Sequence, residues 1–507
     1  MPAVNNRVVD SYLCKSRNGH ARPEIAKLLS PGSNGREREQ QKRIHASYDA
    51  AQDTDEFKNY WSPADALDAD SANSRAVREK LVKRSRYETS NNGYVDGMTL
   101  THADYLVGTG PTLRMQSPSK TFNDLVERQW KLWCKAVQFR RKLWTQAHAK
   151  DQDGSGFGIG KYNPGVNHAV KLDYALIETE QCQTPYIPYG VDGYIDGIRF
   201  DEWGNPLWYD ILPYHPGGTY SFSTFNNPVP TPARFVFHWF HMRRPGQHRG
   251  IPEKKSTMNC GAASRRFREA TLSAAEAAAT IAVWLKTQMS PETASDYQPT
   301  QAFSTMEIFR WMMTALPAGW ETEQLDAKHP NTQYKDFHRL QINEQGRPKS
   351  MPVNVSTGDS SEHNFASGKL DHMPWHQRLT MDRLDCDDLV LDPLFDLWFD
   401  ELALAFGFAS RRVPDHIWDW PILPVADEKA RASARNMNLS NGSTTLSAVY
   451  REDGKDFEEE LVKMTVDYFG ESTDENVAVM REILRQKVFG NQQPAMAGQP
   501  GENNDAD

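Results

Sequence analysis

The run REATLSAAEAAATIAVWL, inside a helical segment from about residue 254 to 289, restricts this chain more than any other stretch of it. Seven alanines fall between Ala270 and Ala282. Alanine has the best intrinsic helix propensity, and small side chains let neighbouring helices approach closely. A long helix with so little side chain of its own must hide between neighbours, so Ala274, Ala275, Ala278 and Ala282 are expected packing positions. The chain offers this helix no evident internal partner, which suits copies arranged head to tail in a ring that closes by rotation.

A length of 507 residues exceeds one compact core, and at about 100–200 residues per domain it divides into three or four lobes. The hydrophobic fraction is 38% and the mean hydropathy -0.69. No window approaches the run of about 18 apolar residues that a membrane span needs, so no membrane partner is expected. Residues 1–10 lack the basic-then-apolar order of a secretory signal, which points to an intracellular protein. Cys14, Cys134, Cys182, Cys260 and Cys386 are odd in number, scattered and never in CxxC, so reduced, mostly buried thiols are expected. The net charge of -9 disfavours a simple nucleic-acid binder. It is also concentrated: residues 451–507 hold 14 acids against 6 bases, a net of -8, which leaves the first 450 residues near neutral.

Residues 1–60 mix charge, Ser, Gly and Asn with little periodicity and read as an arm without a core. The basic stretch 74–87 (SRAVREKLVKRSRY) has a helical pattern and reads as a solvated face. Leu125, Trp130, Trp133 and Val137 fall on one stripe of an amphipathic helix over 122–143. From 171 to 240 short alternating runs broken by Gly, Pro and Asp predict a β-rich lobe, with a strand, a turn at 202–205 and a strand in GIRFDEWGNPLWYDIL. A loop, RPGQHRGIP (244–252), precedes the alanine-rich helix, and a further helix is expected over 334–343. MPVNVSTGDSSEHNF (351–365) is polar, lacks the period of a buried element and reads as an exposed loop. From 366 to 406 a long helix is expected, with Leu379, Leu384, Leu391, Leu394, Trp398 and Leu402 on its apolar side and Asp382, Asp385, Asp388, Asp392 and Asp396 on the other. Pro393 should bend it just before that residue. Helices follow over 427–438 and 457–468, and 494–507 reads as a disordered tail.

The sequence has no GxxxxGK(S/T) phosphate loop, strand-linked GxGxxG, HExxH or GxSxG, so the common enzyme classes lose their anchors. DQDGSG (151–156) begins like a calcium loop, but Tyr162 stands where the twelfth-position Glu belongs, and a surface turn is the expected reading. His238, His241 and His248 have no carboxylate or thiol near them in sequence and read as structurally hydrogen-bonded. Asp385, Asp387 and Asp388 suggest magnesium ligands for a phosphodiesterase, yet consecutive helical residues point apart, which favours a solvated acidic face. No catalytic residue, metal or cofactor is assigned. A metal-dependent nuclease and a monomeric adaptor stay open as alternatives.

Several segments, in order, resemble the lambda-type family of phage portal proteins. Residues 74–115 are similar to its basic helix, run of Asn, helix and VGTG turn; DQDGSGFGIGKYN and ETEQCQTP to the opening of its β lobe. HMRRPGQHRGIP matches its RPGQxRGxP pattern at the entry to a long helix. ASGKLD (366–371) resembles its Ser-Ala-Arg helix start, with Lys369 where Arg is usual, and residues 424–461 resemble its C-terminal pattern.

The resemblance implies a non-enzymatic α+β multi-domain portal fold with a β-containing wing, a long-helix stem, a small α/β clip and a helical crown. By order along the chain, 1–253 is arm and wing, 254–289 the first stem helix, 290–333 the clip and 334–350 the return stem helix. A channel loop over 351–365 would then turn Asn354, Ser356, Thr357, Ser360, Ser361 and His363 toward DNA. A kinked wing helix (366–412) and a crown with an acidic tail (413–507) complete the chain. The implied partners are copies of itself, commonly twelve, with viral double-stranded DNA, the terminase large subunit, a head-tail connector and the major capsid or scaffold protein. The implied location is the virion portal vertex, after assembly in the host cytoplasm.

Overall fold

Apolar residues at helical spacing fold the segment from Arg75 to Asp153 into four helices: α1 (Arg75–Asn91), α2 (Gly93–Val107), α3 (Lys120–Ala136) and α4 (Phe139–Asp153). The computed structural model describes residues 61–183, 193–218, 226–280, 284–287, 320–323, 334–361, 364–424, 428–453 and 455–489. The chain divides into two units, 1–67 and 68–507, and the described helices and strands lie in the second. The expected arm over 1–60 and tail over 494–507 lie outside the described residues. The stripe expected as one helix over 122–143 is split between α3 and α4, because Gln138 takes a left-handed conformation (φ 55°). Trp130, Trp133 and Val137 still reach one core, where Trp130 lies 4.9 Å from Trp133 and 5.0 Å from Trp398 between ring centroids, whereas Leu125 is only partly buried and Val126 is the core residue beside it. Each such buried side chain contributes on the order of 1.5–3 kcal/mol.

The expected β lobe is two antiparallel sheets. The first has the order β3-β2-β8, from β2 (Ser155–Tyr162), β3 (Leu172–Ile177) and β8 (Val236–Phe240). The second runs β4-β5-β6-β7, from β4 (Tyr194–Ile195), β5 (Ile198–Phe200), β6 (Pro206–Ile211) and β7 (Val229–Pro232). The turn between β5 and β6 is closed by Asp201, whose carboxylate accepts from the backbone N–H groups of Trp203 at 2.9 Å and Asn205 at 2.7 Å. Phe157, Ile159, Ile198, Tyr209, Ile211 and Val236 form a small core shared by the two sheets. At one edge, β7 places Pro230 opposite Asp210 and Pro232 opposite Trp208.

Two sequence motifs meet in this lobe. Arg249 of RPGQHRGIP is 1% exposed. Its guanidinium donates to the carbonyls of Cys182 (3.2 Å), Asp196 (2.7 Å) and Thr179 (3.0 Å) and covers the Phe157 ring. Gly250 lies directly on the backbone of Gly154, where a Cβ would overlap the Gly154 carbonyl; Gly154 itself has φ +86° and abuts the backbone of Ile251. The surface turn expected at DQDGSG is therefore a buried junction. Asp151, Asp153 and Ser155 are all buried, and their side chains engage Lys349, Arg86 and the Gly250 N–H. The histidines are structural, as expected: His238 meets Ser155 Oγ at 3.2 Å and His248 meets Asp70 at 2.6 Å. The four described cysteines are free. The basic face of α1 is only partly solvated, since Arg78 is buried against Asp196 while Lys80, Lys83 and Arg84 are exposed.

Beyond the lobe, α5 (Met258–Thr280) occupies the inner part of the expected 254–289 helix. The remainder contains β9 (Trp284–Thr287), which pairs antiparallel with β10 (Trp320–Glu323). The β-branched and aromatic content of VWLKT, set after the alanines, favours a strand there. The return helix is α6 (Tyr334–Gly346), and a short helix, α7 (Val353–Thr357), follows.

The long helix expected over 366–406 is α8 (Phe365–Cys386), a π-helical turn (Asp387–Leu391) and α9 (Asp392–Phe406). The irregularity falls just before Pro393, whose missing N–H breaks the regular ladder. Two expected faces need correction: Leu384 is half exposed, and Asp382 is buried at 1% exposure against Lys150. In the π turn, Asp387 accepts from Trp420 Nε1 at 2.8 Å, and Asp392 accepts from Trp418 Nε1 at 2.7 Å. These contacts fasten β11 (His416–Asp419), which pairs with β1 (Thr112–Met115). Four helices follow among the described residues: α10 (Glu428–Ser440), α11 (Leu446–Glu452), α12 (Phe457–Phe469) and α13 (Asp474–Phe489).

Gly250→Ala is expected to destabilise the protein by at least about 2 kcal/mol, because neither backbone at that contact can yield to a methyl group; equilibrium denaturation measures it. Asp387 gives a pH signature. Burial, with Asp392 and Asp388 nearby, raises its carboxyl from an ordinary 3.8 to about 7. The unfolded chain therefore ionises first, and stability falls as pH rises from about 4 through 7. Asp387→Asn should melt above the wild type at pH 8, with the gap closing toward pH 4.

Candidate subunit-packing helix and channel segment

The N-terminal half of α5 is anchored by its own sequence. Arg265 pairs with Glu88 at 2.9 Å and covers the Tyr87 ring, and Arg268 meets Asn92 Oδ1 at 3.3 Å over Tyr94. Phe267 stacks on Tyr334 and meets Phe337 edge-on, which lays α6 along α5. Farther along, Leu272 is 62% exposed, and Ala274 and Ala275 are half-buried. Ala278 lies in α5 with its side chain outside the described residues, as is the whole of Ala282. Leu272 on α5 and Phe337 and Leu340 on α6 are exposed apolar side chains.

The segment expected as an exposed channel loop is two things. Residues 351–357 are an anchor. Met351 and Ser356 are buried, Val355 packs against the main core, and Asn354 is half-buried with Nδ2 3.2 Å from His372 Nε2. Apolar Met351 and Val355, set among small polar residues, hide an inward-facing helical turn in a stretch that reads as polar. Thr357 Oγ1 donates back to the Val353 carbonyl at 2.7 Å. Gly358 then ends α7 with φ +69°, and Asp359, Ser360 and Ser361 form an exposed turn in which Asp359 accepts from the Ser361 N–H at 2.9 Å. His363 lies outside the described residues.

Where α5 and α6 meet the helices below them, charge is buried in bulk. Lys349 pairs with Asp151, and Lys254 Nζ donates to Thr89 Oγ1 at 2.5 Å and Thr99 Oγ1 at 3.2 Å. Asp382 takes Lys150 at 2.8 Å and Arg378 at 3.2 Å. Glu253 is paired with Arg243 and lies 3.6 Å from both His241 and Arg378. Burial alone would raise Glu253 and Asp382, but the surrounding cations hold Glu253 down to about 2 and Asp382 well below the carboxylate range. Burial lowers Lys254 to about 8 against the opposing pull of Asp151. These groups lock one another in buried pairs. Their pairing is not legible in the sequence, where Asp151, Asp382 and His241 stand in stretches that read as a surface turn, an acidic face and a histidine cluster; only the fold brings each to its partner.

The aspartates weighed as magnesium ligands do not converge: Asp387 is held by Trp420, while Asp388 is exposed. The acid and imidazole atoms of Glu178, Glu180 and His215 do lie within 4.8 Å of one another. Arg86 already spans that group, reaching Glu178 and Glu180 at 2.9 Å and Asp153 at 2.6 Å, so a guanidinium stands where a cation would.

Among the described residues no helix is long and apolar enough to cross a membrane. A comparison with curated proteins gives no match. Among solved structures, the chain is similar to one from the virion of a native gene transfer agent particle, at 12% identity and TM-score 0.40, covering 74% of this chain and 93% of that one. It is also similar to a chain from the neck of an empty particle of that kind, at 11% identity and TM-score 0.41, covering 75% and 93%. The sequence itself matches the model for phage portal proteins of the lambda family over residues 56–381. With that match spanning more than half of its length, the chain belongs to the lambda family of phage portal proteins.

Proposed function

We propose that this portal protein assembles as a closed head-to-tail ring, commonly of twelve subunits in its family, and passes double-stranded DNA through its centre without chemistry of its own. One observation carries the assembly: a single chain has two unlike apolar faces. The first is the α5–α6 surface, with Leu272, Phe337 and Leu340. The second is a stripe on α8, where Leu370, Met373, Met381 and Leu384 are each at least half exposed and fall on one side of the helix. A self-complementary patch makes a dimer, whereas two different faces that complement each other propagate and close by rotation. Exposed apolar area of this kind marks interaction sites.

The remaining roles follow the chain order. Residues up to 253 and α8–α9 form the wing, α5 and α6 the stem, β9 and β10 part of the clip, and α10–α13 the crown. Asp359, Ser360 and Ser361 are the part of the channel segment free to approach DNA, and they offer hydroxyls and a carboxylate in place of cations. Such a turn grips phosphates weakly, which suits a strand that must slide. The terminase large subunit, a head-tail connector and the capsid or scaffold protein are the proposed partners at a virion vertex.

Phe337→Glu/Leu340→Glu and Met373→Glu/Met381→Glu each disable one face. Either variant alone should remain folded and run near 57.7 kDa by light scattering. Mixed, they retain one good interface and should form a pair of about twice that mass and nothing larger. Full rings from either variant alone would refute the assignment of the faces.

A further inference from the structure

The roots of α5 and α6 enclose a void of about 10 Å³, bounded by Glu88, Val95, Lys254, Gly261, Gln345 and Lys349 among others. Two of its walls are carbonyl-type acceptors with nothing to accept from. Glu88 Oε2 and Gln345 Oε1 are buried without a hydrogen-bond partner, on side chains only 5% and 4% exposed. Glu88 spends its other oxygen on Arg265. Two ammonium groups face the same space. Lys254 Nζ gives hydrogens to Thr89 and Thr99, and Lys349 Nζ to Asp151 and Thr99, which leaves each a third.

We infer that this void is a binding site for one structural water, which donates to Glu88 Oε2 and Gln345 Oε1 and accepts from a lysine N–H. A buried water needs about 10–15 Å³ and two to four polar partners, and this void meets both conditions. A dry void would strand two buried acceptors, each a considerable desolvation cost. The glycine is what leaves the room. A Cβ at Gly261 would stand 3.6 Å from Gln345 Oε1 and 3.7 Å from Val95 Cγ2, ordinary contact distances, so a methyl group fits sterically but takes the space of the water.

That geometry gives a test by the order of three melting temperatures, measured on the purified full-length protein. In a helix interior, alanine is favoured over glycine, so Gly261→Ala across a dry void raises the melting temperature. With a water there, the methyl evicts it and the melting temperature drops, by about 1–2 °C in a chain of this length. Gly261→Ser separates eviction from crowding. Its hydroxyl donates to Gln345 Oε1 in place of the water, so the serine variant should melt above the alanine variant although serine is larger and a poorer helix former. A stabilised Gly261→Ala overturns the inference, and so does a serine variant that melts at or below the alanine variant. A map of the assembled particle at a resolution that shows ordered solvent should place density between Glu88 and Gln345.

Discussion

Much of this structure hangs on one contact between two peptide backbones, that of Gly154 against Gly250. It joins the end of α4 and the start of β2 to the loop that feeds α5, at a separation no side chain tolerates. Arg249 then fixes the loop from the other side by satisfying three carbonyls from two different segments. Gln247 adds a clamp within the loop, with Nε2 2.8 Å from the Arg249 carbonyl and Oε1 accepting from the Arg243 N–H. Three residues of RPGQHRGIP are thus explained: Gln247, Arg249 and Gly250 each do something a near relative would not. The direction in which α5 departs is set at this contact.

The buried ion pairs below α5 and α6 serve a different end. A buried pair such as Lys150 with Asp382 contributes little net stability over an apolar core of the same shape, because desolvation offsets attraction. Breaking one is costly, since it leaves a lone charge in a dry place. A junction built from them tolerates few alternative arrangements. Lys349 pairs with Asp151 at the α4 terminus, and Lys254 and Lys349 both donate to Thr99 of α2, so the start of one long helix and the end of the other keep a common base.

Much of the architecture was legible in the sequence, for identifiable reasons. Trp130, Trp133, Leu391, Leu394 and Trp398 repeat at helical spacing and are buried where that spacing puts them. The Asp201 turn and the bend before Pro393 follow from local chemistry. Failures came where tertiary partners overrode composition. Asp382 was placed with its exposed neighbours because nothing local announces Lys150, and residues 351–357 looked polar because two apolar side chains, Met351 and Val355, are enough to anchor a short helix. The strand of β9 followed alanines that suggested only helix, and α11 and α13 were not anticipated at all. The alanine positions are answered in part: Ala274 and Ala275 are half-buried in a single chain.

The prolines of β7 bear on how such a chain avoids the wrong assembly. An edge strand presents a row of amides to any passing extended segment, the usual seed of fibrous aggregation. Pro230 and Pro232 have no amide hydrogen, and the two residues fall on the same register of a four-residue strand. A second strand laid along that margin would find too few donors to hold it. Growth by sheet extension is closed off there, and self-association at high local concentration is left to side-chain surfaces, whose shape can specify where a polymer stops.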